Sequence, residues 1–318
     1  MNRMLPDKRR IGLVSDIRRN RFSYLILLPA AAYVIIFSYL SYPYIAIAFQ
    51  RFDYRKSNIF QILFSGNWVG FKNFEFFFAS QNASLVTYNT VYLNFLFILT
   101  GTVLAVLLAL LLNELRSKWF TKISQSIMLF PNYISWIVVS YILLSLFSNE
   151  YGIVNRLMLS LGQTPRNWYT DASVWPGILV IVRLWKGAGM SAIIYLAAIA
   201  GIDSTMREAA EIDGANRFQI TTRITLPLIT PTIVIMTLLA IGRIMFGDFG
   251  MIYALIGDNG TLYRTTDIID TYVFRALRQV GDPSQAMAIS LFQSVIGFVM
   301  VFGSNALVRK LYPDGALY

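Results

Sequence analysis

Apolar runs of about 20 residues recur along this chain, and each is long enough to cross the roughly 30 Å hydrocarbon core of a bilayer. They predict six spans, at 22–49, 87–113, 127–147, 175–201, 229–256 and 285–308. Composition agrees with that reading. Of 318 residues, 56% are hydrophobic and 14% charged, whereas soluble chains carry nearer a quarter charged residues. Too few charges remain to clothe a water-facing surface. The expected fold class is an all-α polytopic membrane protein with about six transmembrane helices. One membrane domain, 22–308, lies between a basic N-terminal segment, 1–21, and a short tail, 309–318. The apolar run after the basic start is far longer than a signal-peptide core and lacks a small-residue cleavage signal, so it is expected to stay as the first span.

An even number of spans puts both ends on one side, and Lys and Arg should mark the cytoplasmic segments. With the N-terminus inside, about fifteen of them fall on inner segments and about nine on the longer outer ones. The net charge of +10 is thus an orientation signal rather than a nucleic-acid footprint. Both termini, the turn "NELRSKWFTK" and the stretch 202–228 are expected in the cytoplasm of a bacterial cell, with the spans in its inner or plasma membrane. The outer loops are 50–86, 148–174 and 257–284. The first holds "NWVGFKNFEFFF", which suits an interfacial aromatic belt or a surface that docks on another protein. The chain has neither histidine nor cysteine, which excludes thiol metal sites, disulfides, zinc hydrolase centres and histidine general bases. No catalytic residue and no metal site is expected.

The polar stretch "EAAEIDGANRFQITTRITLP", 208–227, interrupts the apolar pattern between two spans. Thr205 and Glu208 have capping-box spacing, helix formers follow, and Gly214 supplies the residue that tolerates left-handed geometry at a helix end. A second helical piece runs to Pro227, and Pro231 is placed in the first turn of the next span. The expectation is two short helices joined at an angle on the cytoplasmic surface. A helix resting on lipid headgroups would carry Lys and Arg along its polar face. Here acidic residues outnumber basic ones in the first helix, which favours a protein partner.

The spacing Glu208-Ala209-Ala210, three residues including Asp213, Gly214, nine residues, then Ile224-x-Leu226-Pro227 resembles the signature of the membrane subunits of ATP-binding-cassette importers. "RLWKGAGMSAIIYLAAIAGID", "IIDTYVFRAL" and "LFQSVIGF" look like the carbohydrate-uptake permeases of the lipoprotein and alginate-oligosaccharide type. The resemblance implies that Glu208, Ala209, Ala210, Asp213, Gly214, Ile224, Leu226 and Pro227 couple this chain to an ATPase. The two short helices would dock in a groove on a nucleotide-binding subunit, with Glu208 facing basic residues. It implies as partners two such ATPase subunits, a second, related but different permease, an extracellular solute-binding protein, a saccharide and membrane lipid. The saccharide is neutral or an acidic oligosaccharide. This chain has no G-x-x-x-x-G-K-[ST] phosphate cradle, so it is expected to be no enzyme and to bind no cofactor, with ATP and Mg on the partner ATPase.

Four ionisable residues interrupt the spans: Arg183 and Lys186 in the fourth, Arg243 and Asp248 in the fifth. Each charge at a span centre costs roughly 2.5–3.5 kcal/mol on insertion scales, so all four should face the protein interior or a water-filled path. At about 1.5 Å per residue, Arg183 and Asp248 reach similar depth on antiparallel helices and are expected to pair. Lys186 and Arg243 are left unpaired and deeper. Trp185 either packs or offers its face to a sugar ring. These five residues form the expected substrate path. Two other classes stay open. A non-sugar importer would share the short signature. An ion-coupled carrier would show internal repeats and half-helices broken at the midplane, and the sequence displays neither.

Overall fold

The computed structural model describes residues 13–53, 58, 60–61, 64, 66–80 and 82–311. Residues 1–12 of the basic segment and 312–318 of the tail lie outside the described residues. Helices dominate, and the one sheet among the described residues is a two-residue antiparallel ladder, Gln50–Arg51 with Asn67–Trp68.

Helix α1 (Leu13–Arg19) precedes α2 (Arg21–Val34), which continues through a π-helical turn, Ile35–Tyr39, into a 3-10 stretch, Tyr42–Phe49. α2 has no buried residue, so this part of the first span stands off the body. The span meets the body at its far end, where Ile47 and Ala48 are buried and Phe49 packs on Phe71 and Phe74. α3 (Lys72–Phe78) lies in the loop after the first span. Its Phe77 is buried and meets Phe292, so part of the aromatic run is core, while Trp68, Phe71 and Phe78 stay exposed.

α4 (Ala83–Asn113) and α8 (Trp175–Ala200) are long, apolar and packed side by side. α15 (Pro283–Leu311) closes the body. Between α4 and α8 the third span departs from the straight helix expected at 127–147. α5 (Lys118–Leu129), with its 3-10 extension to Tyr133, meets α6 (Trp136–Phe147) at 94°. Pro131 has no N–H to continue the ladder, and the Ser135 hydroxyl caps α6 by accepting from Val138 N at 3.3 Å. α7 (Ile153–Ser160) follows in the loop after the third span.

The fifth span also differs. α11 (Leu226–Ile241) ends at Gly242, and α12 (Phe249–Ile256) begins only after seven non-helical residues. The expectation of unbroken spans is therefore corrected at both places. A break inside hydrocarbon is tolerable only where protein groups satisfy the freed backbone, and here they do. Asn94 Nδ2 donates to the carbonyls of Ile244 and Phe246 at 2.8 and 3.1 Å. Gln293 Nε2 donates to Met245 O at 2.8 Å, and Asp270 Oδ2 accepts from Gly247 N at 2.8 Å. A Cβ on Gly297 would lie 2.9 Å from the carbonyl oxygen of Gly242, so glycine lets α15 cross the break closely. α13 (Tyr263–Thr266) and α14 (Ile269–Val280) fill the loop between the fifth and sixth spans, and α14 carries Asp270 to the break. Burial holds the Asp270 carboxyl above the usual carboxylate range, against the lowering pull of its hydrogen bonds.

Candidate functional site: a polar cavity joined by one rod to an exposed helix

A cavity of about 670 Å³ lies among α4, α6, α8, α11 and the break. Phe97, from a buried cluster around Trp175 and Met251, and Tyr195, from a second around Ala109 and Ile229, both line it. Its four charged side chains are Arg183, Lys186, Arg243 and Asp248.

The expected ion pair forms. Arg183 Nη1 lies 2.8 Å from Asp248 Oδ2, with its guanidinium 4.7 Å from the Phe97 ring centre. Asp248 also starts α12, its Oδ1 accepting from Met251 N at 3.0 Å. Lys186 is not left unpaired. Its ammonium donates to Asn132 O at 2.7 Å and Pro131 O at 3.4 Å, the carbonyls exposed by the bend in the third span. It also sits 5.0 Å from the Trp136 ring centre. Arg243 is the unpaired one: exposed on the break, its guanidinium has no hydrogen bond or ion pair among the described residues. Trp185 does not line the cavity. It is exposed away from the cavity, whose aromatic lining is Phe97, Trp136, Tyr195, Phe246 and Phe249. Helical periodicity explains the difference, since Trp185 is flanked by cavity-lining Leu184 and Lys186 but its own direction carries it outward.

Trp136, Asn94, Asp270 and Gln293 were not singled out from sequence. The available signal was the pair Gly242 and Gly247, each followed by a charged residue inside an apolar run, which marks a place where freed backbone needs polar side chains from other helices.

The polar stretch folds as α9 (Ser204–Ile212), a turn, and α10 (Arg217–Ile220). Thr205 is not its cap. Asp203, in extended geometry, takes that role, its carboxylate accepting from Thr205 N at 3.0 Å. Gly214 is left-handed at φ 81°. Asn216 and Gln219 form a capping box that starts α10. Pro227 does not end the second piece. α10 passes through a π-helical turn, Thr221–Thr225, straight into α11, and Pro227, which has no N–H to donate, lies just past that turn. Pro231 sits inside the helix rather than at its start. Arg217–Ile241 is thus one rod of 25 residues, about 37 Å long at 1.5 Å per residue.

α9 has no buried residue. Glu208, Ala209, Asp213 and Gly214 are exposed, Ala210 is half-buried, and Ile212 and Phe218 are 86% and 77% exposed. Ile224 and Leu226 are instead half-buried, Leu226 against the second cluster, and Pro227 is exposed. At the base, Arg217 Nη1 bonds Glu114 Oε2 at 3.1 Å, bringing the "NELRSK" turn and the polar stretch to the same end of the molecule.

Bent and broken helices around a charged cavity, with an uncovered helix at one end, define a polytopic membrane transport protein. The chain belongs to the family described as binding-protein-dependent transport system inner membrane component, which matches residues 101–313. The expected family is the family found. The chain is similar to Protein LplB of Bacillus subtilis (strain 168), 33% identical over 96% of this chain and 94% of that protein. It is similar to the polygalacturonan/rhamnogalacturonan transport system permease protein YteP of the same organism, 32% identical over 98% and 95%. Among solved structures, a bacterial alginate ABC transporter in complex with alginate pentasaccharide-bound periplasmic protein contains a chain that superposes with a TM-score of 0.82. That chain is 32% identical, and the match covers 95% of this chain and 98% of it. The protein is therefore a multi-pass transport subunit. Broken helices alone would have favoured an ion-coupled carrier; the family assigns binding-protein-dependent transport instead.

Proposed function

We propose that this chain is one permease half of an ATP-driven saccharide importer. The observation that carries the reading is the single rod between α9 and the cavity. A partner that moves α9 moves Arg217–Ile241 with it, and the far end of that rod is the break that bears Arg243. A nine-residue helix with nothing buried is too short to be stable by itself, so α9 is built to be covered. Glu208 and Asp213 offer charge, Ala209 and Ala210 close approach, and Ile212 and Phe218 apolar area. The partner is a nucleotide-binding ATPase subunit that holds ATP and Mg, present in two copies. Ile224, Leu226 and Pro227 serve the same coupling from the other side by anchoring the rod. A second, related but different permease completes the pathway, and an extracellular solute-binding protein delivers the sugar. The names of the similar proteins, with their polygalacturonan, rhamnogalacturonan and alginate cargo, support a saccharide.

Both termini and 202–228 face the cytoplasm in this reading. The absence of native cysteine makes orientation easy to measure. A cysteine at exposed Met206 reacts only from the cytoplasm and one at exposed Gln163 only from outside; labelling of both from one side overturns the orientation. The functional test is purification of the tagged protein from its native membrane. Co-purification of an ATPase, and ATP-dependent uptake of saccharide into vesicles when a loaded binding protein is present, are the expected results. Uptake driven by an ion gradient without ATP would sink the reading.

A further inference from the structure

The geometry points to a carboxylate-reading site in the cavity, with Arg243 as its specificity-determining residue and an acidic saccharide as its ligand. This rests on the saccharide-importer reading above and names the substrate class within it.

The cavity-lining charges are three positive, Arg183, Lys186 and Arg243, against one negative, Asp248. The protein itself satisfies three of the four. Arg183 and Asp248 hold each other, and Lys186 is spent on two backbone carbonyls and the face of Trp136. Arg243 alone projects a full guanidinium with no protein acceptor among the described residues. A cation among membrane-spanning helices is unfavourable unless a ligand, water or an opposite charge compensates it. Its planar fork of donors matches a carboxylate in two parallel bonds.

Arg243 is also held in place, which distinguishes a reader from a stray surface charge. It sits on the break whose backbone is pinned by Asn94, Gln293 and Asp270 from three other elements. No nearby cavity carboxylate competes for it, because Asp248 is already bonded to Arg183 and to Met251 N. A neutral sugar would leave the guanidinium without a matching anion, so selection comes as much from rejecting neutral competitors as from binding acidic ones. Phe246 and Phe249 supply apolar wall along the same cavity.

The test uses the complete transporter in proteoliposomes with its binding protein. The probes are a uronate trisaccharide and its carboxyl-reduced neutral counterpart. Because one binding protein serves every variant, a change in the acidic-to-neutral uptake ratio reports the cavity alone. Arg243→Gln is expected to lower that ratio at least tenfold. Arg243→Lys, which keeps the charge and loses the fork, should lower it only about threefold. An unchanged ratio in both variants, or a wild type that takes the neutral sugar and ignores the acidic one, overturns the carboxylate site and leaves the importer reading standing. A wild type that imports neither sugar, with an ATPase unresponsive to any saccharide-loaded binding protein, overturns both.

Discussion

Two polar interruptions bracket the same helical rod, and they are finished in opposite ways. At one end the break 242–248 is closed by its own chain. Asn94, Gln293 and Asp270 reach in from three other elements, and Asp248 caps the helix that follows. At the other end, α9, its turn and α10 keep Glu208, Ile212, Asp213 and Phe218 exposed, and α9 buries nothing. The difference follows from the solvent. Within the bilayer no water is available to satisfy backbone left free, so the protein must do it. At the aqueous end water suffices until a partner arrives, and a surface left uncovered can be used for docking. One interruption is complete as folded; the other, in the function proposed above, is completed by a partner.

Substitutions at the two ends should therefore fail differently. The largest effect is expected at the exposed end. Glu208→Lys, or Gly214→Val at a φ of 81° that costs a β-branched residue at least about 1–2 kcal/mol, should abolish uptake and ATPase co-purification while membrane levels hold. Wild-type uptake in both variants would erase the contrast. At the break the same kind of experiment should show lost stability first. Asn94→Leu strips the donor from two carbonyls and is expected to cost about 2–4 kcal/mol, visible as a lower unfolding temperature of the purified complex. Gln293→Leu frees one carbonyl and should cost about 1–2 kcal/mol. If either leaves the melting temperature untouched, the break is not held by these side chains. The smallest effect belongs to Glu114→Gln at the base of the rod. Its bridge to Arg217 is partly exposed, so the loss should stay below about 1 kcal/mol and shrink further in high salt.

Much of this was legible in the sequence because it depends on local or one-dimensional rules. Span length, charge bias and the signature from Glu208 to Pro227 each read directly along the chain. Equal depth on antiparallel helices was enough to pair Arg183 with Asp248. Other features were not legible because they depend on direction and on distant segments. Neighbouring Trp185 and Lys186 differ by about 100° around a helix, so only packing could decide that Lys186 enters the cavity and Trp185 does not. The bend at Pro131 determined that Lys186 has partners, and the continuity through Thr221–Thr225 determined that Pro227 lies within a rod instead of ending a helix.

By itself the sequence determined the class: a membrane protein of helices, with one acidic surface segment unlike anything a lipid-resting helix would carry. Hydrophobicity and charge act on each residue wherever it lies, so they can be read without coordinates. Only the tertiary structure decided that the fifth span is broken and that Arg243 is the cation left over. A backbone break survives in a bilayer only when side chains from residues 94, 270 and 293 converge on residues 244–247, and convergence across such separations is a property of the packed molecule.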